Sequence, residues 1–214
     1  NDDLKVAKCM NSGCTASTAI TTVDSTGVLG TFTSIAIDSN GFPVISYYDN
    51  SNSDLKVAKC MNSGCTTGTT ISTVDSTGDV GTYSAIAVDS NNFPVIGYYD
   101  NTNDDLKVAK CMNSGCTVNT TLTAIDTDLP SFFLSATFTS IAIDSNGLPV
   151  LSYYDLPNED VNVAKCANSG CTTGTTINIV DSTGDVGWYT SLALDSNDYP
   201  IISYFDDTND DLKV

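Results

Sequence analysis

Short runs of alternating apolar and polar residues recur along the chain, separated by clusters of Asp, Asn, Ser, Thr and Gly that read as turns. In the second unit, residues 83–89 form a first run, and Asp89-Ser-Asn-Asn92 turns it into a second at 93–99. Residues 100–105 turn again, and the third and fourth runs are predicted at 106–111 and 117–125. The first run sets large aliphatics on one face against small residues on the other, as in Ser34-Ile-Ala-Ile-Asp38 and Ser191-Leu-Ala-Leu-Asp195, so neighbouring sheets can nest. The second, Phe42-Pro-Val-Ile-Ser-Tyr-Tyr48, is apolar on both faces and suits a strand buried between sheets. The third and fourth carry lysines and threonines and read as outermost. No window longer than about ten residues has helical periodicity.

The runs belong to one unit written four times. Asp-Leu-Lys-Val-Ala-Lys-Cys-Met-Asn-Ser-Gly-Cys occupies residues 3–14 and recurs at 54–65 and 105–116, with a worn copy at 160–171. Leu4, Leu55, Leu106, Val161 and Leu212 are spaced 51, 51, 55 and 51 residues apart. Four antiparallel strands in about 50 residues are the signature of a β-propeller blade. The predicted fold is therefore all-β: a propeller of four-stranded antiparallel blades, about four in this chain. Residues 1–214 form a single array with repeats at about 3–53, 54–104, 105–159 and 160–210. Residues 209–214 repeat residues 1–6, so 211–214 start a further copy or belong to an end clasp. Three arrangements stay open: a closed four-blade ring in which residues 3–23 complete the last blade, part of a larger ring, and strand exchange between subunits.

The eight cysteines fall in four Cys-x4-Cys pairs: Cys9 with Cys14, Cys60 with Cys65, Cys111 with Cys116, and Cys166 with Cys171. Each brackets a polar loop suited to a hairpin, whose opposed Cα atoms lie about 4.5–5.5 Å apart, within disulfide range. Local disulfides pinning the outer hairpins are the favoured reading. The rival, zinc shared between two pairs, needs hairpins on separate repeats to meet. Disulfides imply a secreted or cell-surface location.

The stretch from Ser34-Ile-Ala-Ile-Asp-Ser-Asn-Gly-Phe-Pro-Val-Ile-Ser-Tyr-Tyr-Asp49 to Asp54-Leu-Lys-Val-Ala58 resembles the tandem repeats of secreted bacterial β-propeller proteins, commonly of uncharacterised function. The resemblance covers the whole chain and implies the fold. It departs where tryptophan-bearing outer hairpins give way to the Cys-x4-Cys hairpin, and it carries no catalytic residues with it.

Composition then narrows the chemistry. Eight lysines stand against 26 acidic residues, with no histidine or arginine, for a net charge of −18. Phosphate backbones are repelled, so nucleic acid is a poor partner, while cations and neutral glycans remain open. No stretch approaches the roughly 18 apolar residues that span a bilayer, so membrane insertion is not expected. A start at Asn1 reads as a processed or excised segment. Without histidine, Ser-His-Asp and Cys-His schemes cannot be assembled, and sialidase-type propellers need an arginine cluster. Only an aspartate pair flanking a glycosidic bond survives, and the aspartates lie in repeated turns, so the chain reads as a non-enzyme.

Blade geometry gathers Asp49, Asp100, Asp155 and Asp206 on one rim with Asp24, Asp75, Asp126 and Asp181, joined by Asp79 and Asp185. Asp49, Asp100, Asp104, Asp155 and Asp206 are candidate calcium ligands, against a plain reading as Asx-turns. Calcium is the cofactor such oxygen ligands suit. The third unit has four extra residues in the loop containing Phe132, Phe133 and Leu134, which reads as an apolar patch on the acidic rim. Trp188, the sole tryptophan, lies in the matching loop of the next unit. These four are candidate ligand contacts, with packing as the alternative. The leading expectation is a non-enzymatic extracellular binding or adhesion module offering its acidic face to a glycan or protein. The alternative is a structural repeat of an extracellular polymer, assembling through Leu212, Lys213 and Val214.

Overall fold

The computed structural model describes residues 2–127, 129 and 138–214, which form strands and turns with no helix among them. Three four-stranded antiparallel sheets lie in chain order. The first holds β3 (Leu29–Ile37), β4 (Pro43–Asp49), β5 (Asp54–Lys59) and β6 (Thr70–Asp75). The second holds β7 (Val80–Val88), β8 (Pro94–Asp100), β9 (Asp105–Lys110) and β10 (Thr121–Asp126). The third holds β11 (Thr139–Ile143), β12 (Pro149–Asp155), β13 (Asp160–Lys165) and β14 (Thr176–Asp181). Two separate, incomplete sheets lie at the chain ends: β1 (Leu4–Cys9) pairs with β2 (Thr18–Asp24), and β15 (Val186–Leu194) with β16 (Pro200–Asp206) and β17 (Asp211–Lys213). The fold is a four-blade β-propeller with the first strand of each blade innermost, since β3, β7, β11 and β15 contact one another in turn.

Burial follows the sequence pattern closely at the second strand: β4, β8 and β12 are buried along their whole length. The third strand departs from expectation. Leu55, Val57 and Ala58 are inaccessible and Lys59 is nearly so, so only the fourth strand lies at the outer edge. Lys59 and Lys110 of the third strands are buried, each 2.7 Å from a carboxylate, that of Asp38 and that of Asp89. Blades nest closely enough that a Cβ on Gly97 would sit 2.6 Å from Leu151 Cδ2 of the next blade.

The end clasp of the closed-ring arrangement is not formed. The third-strand place beside β16 is taken by β17, in the repeat's own register: Asp206 faces Asp211 and Phe205 faces Leu212, as Asp49 faces Asp54 and Tyr48 faces Leu55. Residues 1–6 and 209–214 share one sequence, and β17 reaches β16 through a short turn, whereas β1 would have to close a loop of the whole chain. Local closure therefore wins. Apolar side chains stay exposed at both open ends, including Ile35 and Ile37 on one and Tyr199 and Ile201 on the other.

Candidate functional site

The rim that the sequence reads as an acidic face turns its charges inward. Asp49, Asp100 and Asp206 are inaccessible, and Asp24 and Asp75 nearly so. Lys107 of the second blade lies 2.8 Å from Asp75 of the first and 3.2 Å from its own Asp100. Lys56 and Lys213 make the same double contacts with Asp24 and Asp49, and with Asp181 and Asp206. A tyrosine hydroxyl completes each seam: Tyr47 donates to Asp24, Tyr98 to Asp75, Tyr153 to Asp126 and Tyr204 to Asp181. Burial pulls the Asp75 carboxyl upward, but Lys107, Tyr98 and the Thr77 N–H outweigh it and hold it below the usual carboxylate range. Burial and the adjoining carboxylate push the Tyr98 hydroxyl far up.

The third blade breaks the pattern. Asn162 stands in the lysine's place, and no ammonium reaches Asp126 or Asp155 among the described residues. Burial and the Asp155 charge raise Asp126 above the ordinary aspartate range despite the Tyr153 hydroxyl. Asp160 is raised by burial and by Asp155 and Asp181.

A second feature lies where the innermost strands converge. Phe32, Tyr83, Phe138 and Tyr189 come one from each blade and form a run of ring contacts, with centroids 4.4, 5.5 and 4.1 Å apart in that order. Phe32, Tyr83 and Tyr189 have φ of 50, 53 and 54°, in the left-handed region that bulky residues rarely occupy. Each lies within a β-bulge of the first strand, which turns the ring out of the pleat toward the axis. Phe32 is 38 % and Tyr189 64 % exposed, so the run presents aromatic surface to solvent. With Thr33, Ser84, Thr139 and Thr190 it lines a shallow recess of about 170 Å³.

Two carboxylates adjoin this run. Asp185 Oδ1 accepts from Trp188 Nε1 at 2.6 Å and from the Tyr154 hydroxyl at 2.8 Å, and Trp188 packs against Phe138, Tyr154 and Tyr189. Asp79, its equivalent two blades away, accepts from the Tyr48 hydroxyl, whose ring packs on Phe32. Both are half-buried. The aromatic run is the feature that reading the sequence missed. Its signal in the sequence is the recurrence of Phe or Tyr at 32, 83, 138 and 189 of the four units, one place after Trp188 in the last.

The other predicted residues are placed as follows. All four local disulfides are formed, with Cα atoms 4.9–5.0 Å apart. They do not join opposed strand residues: Lys59 faces Thr70, so Cys60–Cys65 closes the first turn of a longer connection. The second cysteine of each pair adopts a left-handed φ of 51–55°. Phe132, Phe133 and Leu134 lie outside the described residues. Trp188 is half-buried in the aromatic run. Asp49, Asp100 and Asp206 are engaged by lysine and by the donors of their own turns, such as Asn52, Asn103 and Asn209. Asp104 accepts from the Tyr99 hydroxyl. Leu212 and Lys213 lie in β17, with Val214 just beyond. Among the described residues no three Asp, Glu, His or Cys side chains gather as a ready-made metal cage. None forms a helix long and apolar enough to cross a membrane.

No known protein family and no curated protein matches the chain in sequence. Solved structures match its fold. A protein of unknown function from Dyadobacter fermentans is 14 % identical with a TM-score of 0.55, over 81 % of this chain and 48 % of its own. A bifunctional GH43-CE protein from Bacteroides eggerthii is 13 % identical with a TM-score of 0.52, over 82 % of this chain and 22 % of its own. A GH43 endo-arabinanase from Bacillus licheniformis is 12 % identical with a TM-score of 0.47, over 88 % of this chain and 79 % of its own. The chain thus spans less than half the length of the first two. The bifunctional GH43-CE neighbour corrects two expectations, that of a non-enzymatic binding or adhesion module and that of a chain that is no enzyme. The absence of histidine and arginine removes the chemistry that depends on them, but glycosidic cleavage needs only two carboxylates.

Proposed function

We propose that this chain is the propeller of a carbohydrate-active enzyme working in an oxidising, extracellular setting, with a glycan lying along the axial aromatic run. The observation that carries this reading is the run itself: four rings brought together from four blades, three of them on left-handed backbone. Flat, partly exposed rings with a few hydroxyls and carboxylates beside them suit the alternating C–H and O–H surface of a sugar. Asp79 and Asp185, bonded into the aromatic layer from alternate blades, are the carboxylates proposed for acid–base work. The carbohydrate-active neighbours of the same fold are compatible with this reading and do not identify the sugar.

The test is to incubate the intact chain with a panel of polysaccharides and measure bound glycan and released reducing ends. Binding should weaken about tenfold or more in Tyr189→Ala, whose side chain is 64 % exposed. Release should fall about 100-fold or more in Asp185→Asn with binding largely kept. Absence of binding and release across the panel would overturn the proposal.

A further inference from the structure

Three of the four blade seams are closed by a lysine: Lys56 Nζ lies 3.3 and 3.4 Å from its two aspartates, Lys107 2.8 and 3.2 Å, and Lys213 3.0 and 2.7 Å. In each, the lysine faces the seam tyrosine in the ladder: Tyr47 with Lys56, Tyr98 with Lys107, Tyr204 with Lys213. In the third blade Tyr153 faces Asn162, a shorter and neutral side chain. Both carboxylates are nonetheless kept, as Asp126 and Asp155.

Two oxygen atoms are left without donors: Pro157, which has no N–H, stands where Ser51 and Thr102 donate to Asp49 and Asp100 Oδ1, and Asn162 brings an amide oxygen where the other seams have an ammonium. Asn162 Nδ2 donates to Asp155 Oδ2 at 3.0 Å, and Tyr153 donates to Asp126 Oδ2. Among the described residues Asp155 Oδ1 and Asn162 Oδ1 have no hydrogen-bond partner, though their residues are only 7 % and 3 % exposed. Asp160, 5 % exposed, faces Asp155 across the strand pair and adds a further negative charge. A buried carboxylate without a counter-charge is costly, and the ammonium that answers it elsewhere is missing here. Buried oxygens with no proton donor are what a hard cation binds: carboxylates and an amide carbonyl, completed by water.

We propose that a divalent cation of the calcium type occupies the third blade seam, held by Asp126, Asp155 and the Asn162 side-chain oxygen, where the other seams hold a lysine ammonium. The ion does for β10, β12 and β13 what Lys107 does for β6, β8 and β9. It ties the outer strand of one blade to the middle strands of the next by neutralising both carboxylates. The aspartate turns at Asp49, Asp100 and Asp206 take no such ion, because lysine already fills the equivalent position.

The experiment uses the intact chain, stripped with chelator and titrated with calcium chloride while the thermal midpoint and heat of binding are followed. The wild type should bind one calcium saturably, with a rising midpoint. Asn162→Lys, which restores the repeat's own residue, should weaken calcium binding at least tenfold and make the chelator-treated midpoint equal to or higher than that of calcium-loaded wild type. Asp155→Asn, checked for fold by circular dichroism, should also lose the calcium response. A wild type indifferent to calcium would overturn the proposal and leave a water or a shared proton in the seam. An Asn162→Lys variant that responds as the wild type does would overturn it equally.

Discussion

The Tyr98 hydroxyl donates a 2.7 Å hydrogen bond to Asp75 Oδ2, and so joins the second strand of one blade to the fourth strand of the blade before it. Lys107 reaches the same carboxylate, and its side chain and that of Asp75 are 13 % and 0 % exposed. The seam is therefore a buried ionic network shared between blades. Tyr98→Phe removes one charge-assisted hydrogen bond and is expected to cost about 1.5–3 kcal/mol. Asp75→Ala strands the Lys107 ammonium and should cost about 3–5 kcal/mol. Urea unfolding of both variants checks the order; equal and negligible losses would mean the seams do not hold the blades.

Acid should weaken the protein through these same aspartates. Asp24, Asp38, Asp75, Asp89, Asp144 and Asp181 all have folded-state pKa values below their ordinary one. Their contribution is complete above the unfolded pKa of about 3.9 and is lost as pH falls through the folded values. Asp54, Asp126 and Asp160 are raised and act with the opposite sign, regaining a little stability as pH falls toward 4. The thermal midpoint should accordingly change little between pH 7 and about 5 and drop steeply below about 4.

Alkali should act through the tyrosines. Burial, with hydrogen bonding to a carboxylate, pushes Tyr204 up to about 12, and Tyr47, Tyr98 and Tyr153 further. Raised folded values mean that their stabilisation is complete below the unfolded pKa of about 10 and is lost above it. Absorbance titration should show these tyrosinates appearing together with loss of circular dichroism rather than before it.

Much of the fold could be read from the residues, because repeats make the pattern redundant. Phe42 to Tyr48 is apolar on both faces, and the strand it predicts is buried throughout. The disulfide pairing followed from four equivalent Cys-x4-Cys hairpins. What escaped were properties of the assembled blades. Nothing local to Lys56 indicates that it reaches Asp24 of another sheet, so the third strand was read as outermost. Asn162 looks like ordinary wear until it is seen to face Tyr153 and bond Asp155 where the other seams hold a lysine. The left-handed φ of Tyr83 leaves no mark in a strand-like run, which hid the turn of its ring toward the axis.

Gly81 sits at φ 108°, and a Cβ there would lie 2.7 Å from Leu55 Cα, a backbone atom of the preceding blade that has nowhere to go. Gly81→Ala should therefore destabilise by about 1–3 kcal/mol, more than an exposed Gly41→Ala, whose Cβ meets nothing within 4 Å. Comparison of denaturation midpoints separates the cost of crowding from that of positive φ, which the two glycines share.

Reduction should begin at the amino-terminal half-blade. Cys14 is exposed and Cys9 half-buried, whereas the other three disulfides are buried. Thiol access governs exchange, so mild reductant followed by alkylation and mass spectrometry should label Cys9 and Cys14 first. Loss of a disulfide closing so short a loop is expected to cost about 2 kcal/mol.

Trp188 is the sole tryptophan, packed against Phe138 and Tyr189 and bonded to Asp185, so its emission reports on the axial run directly. Titration of the intact chain with an oligosaccharide of the tightest-binding polysaccharide should give a saturable change in Trp188 fluorescence, with a dissociation constant matching calorimetry and weakened by Tyr189→Ala. Calorimetric binding that leaves Trp188 emission and its Tyr189→Ala response unchanged would place the glycan elsewhere and contradict the axial site.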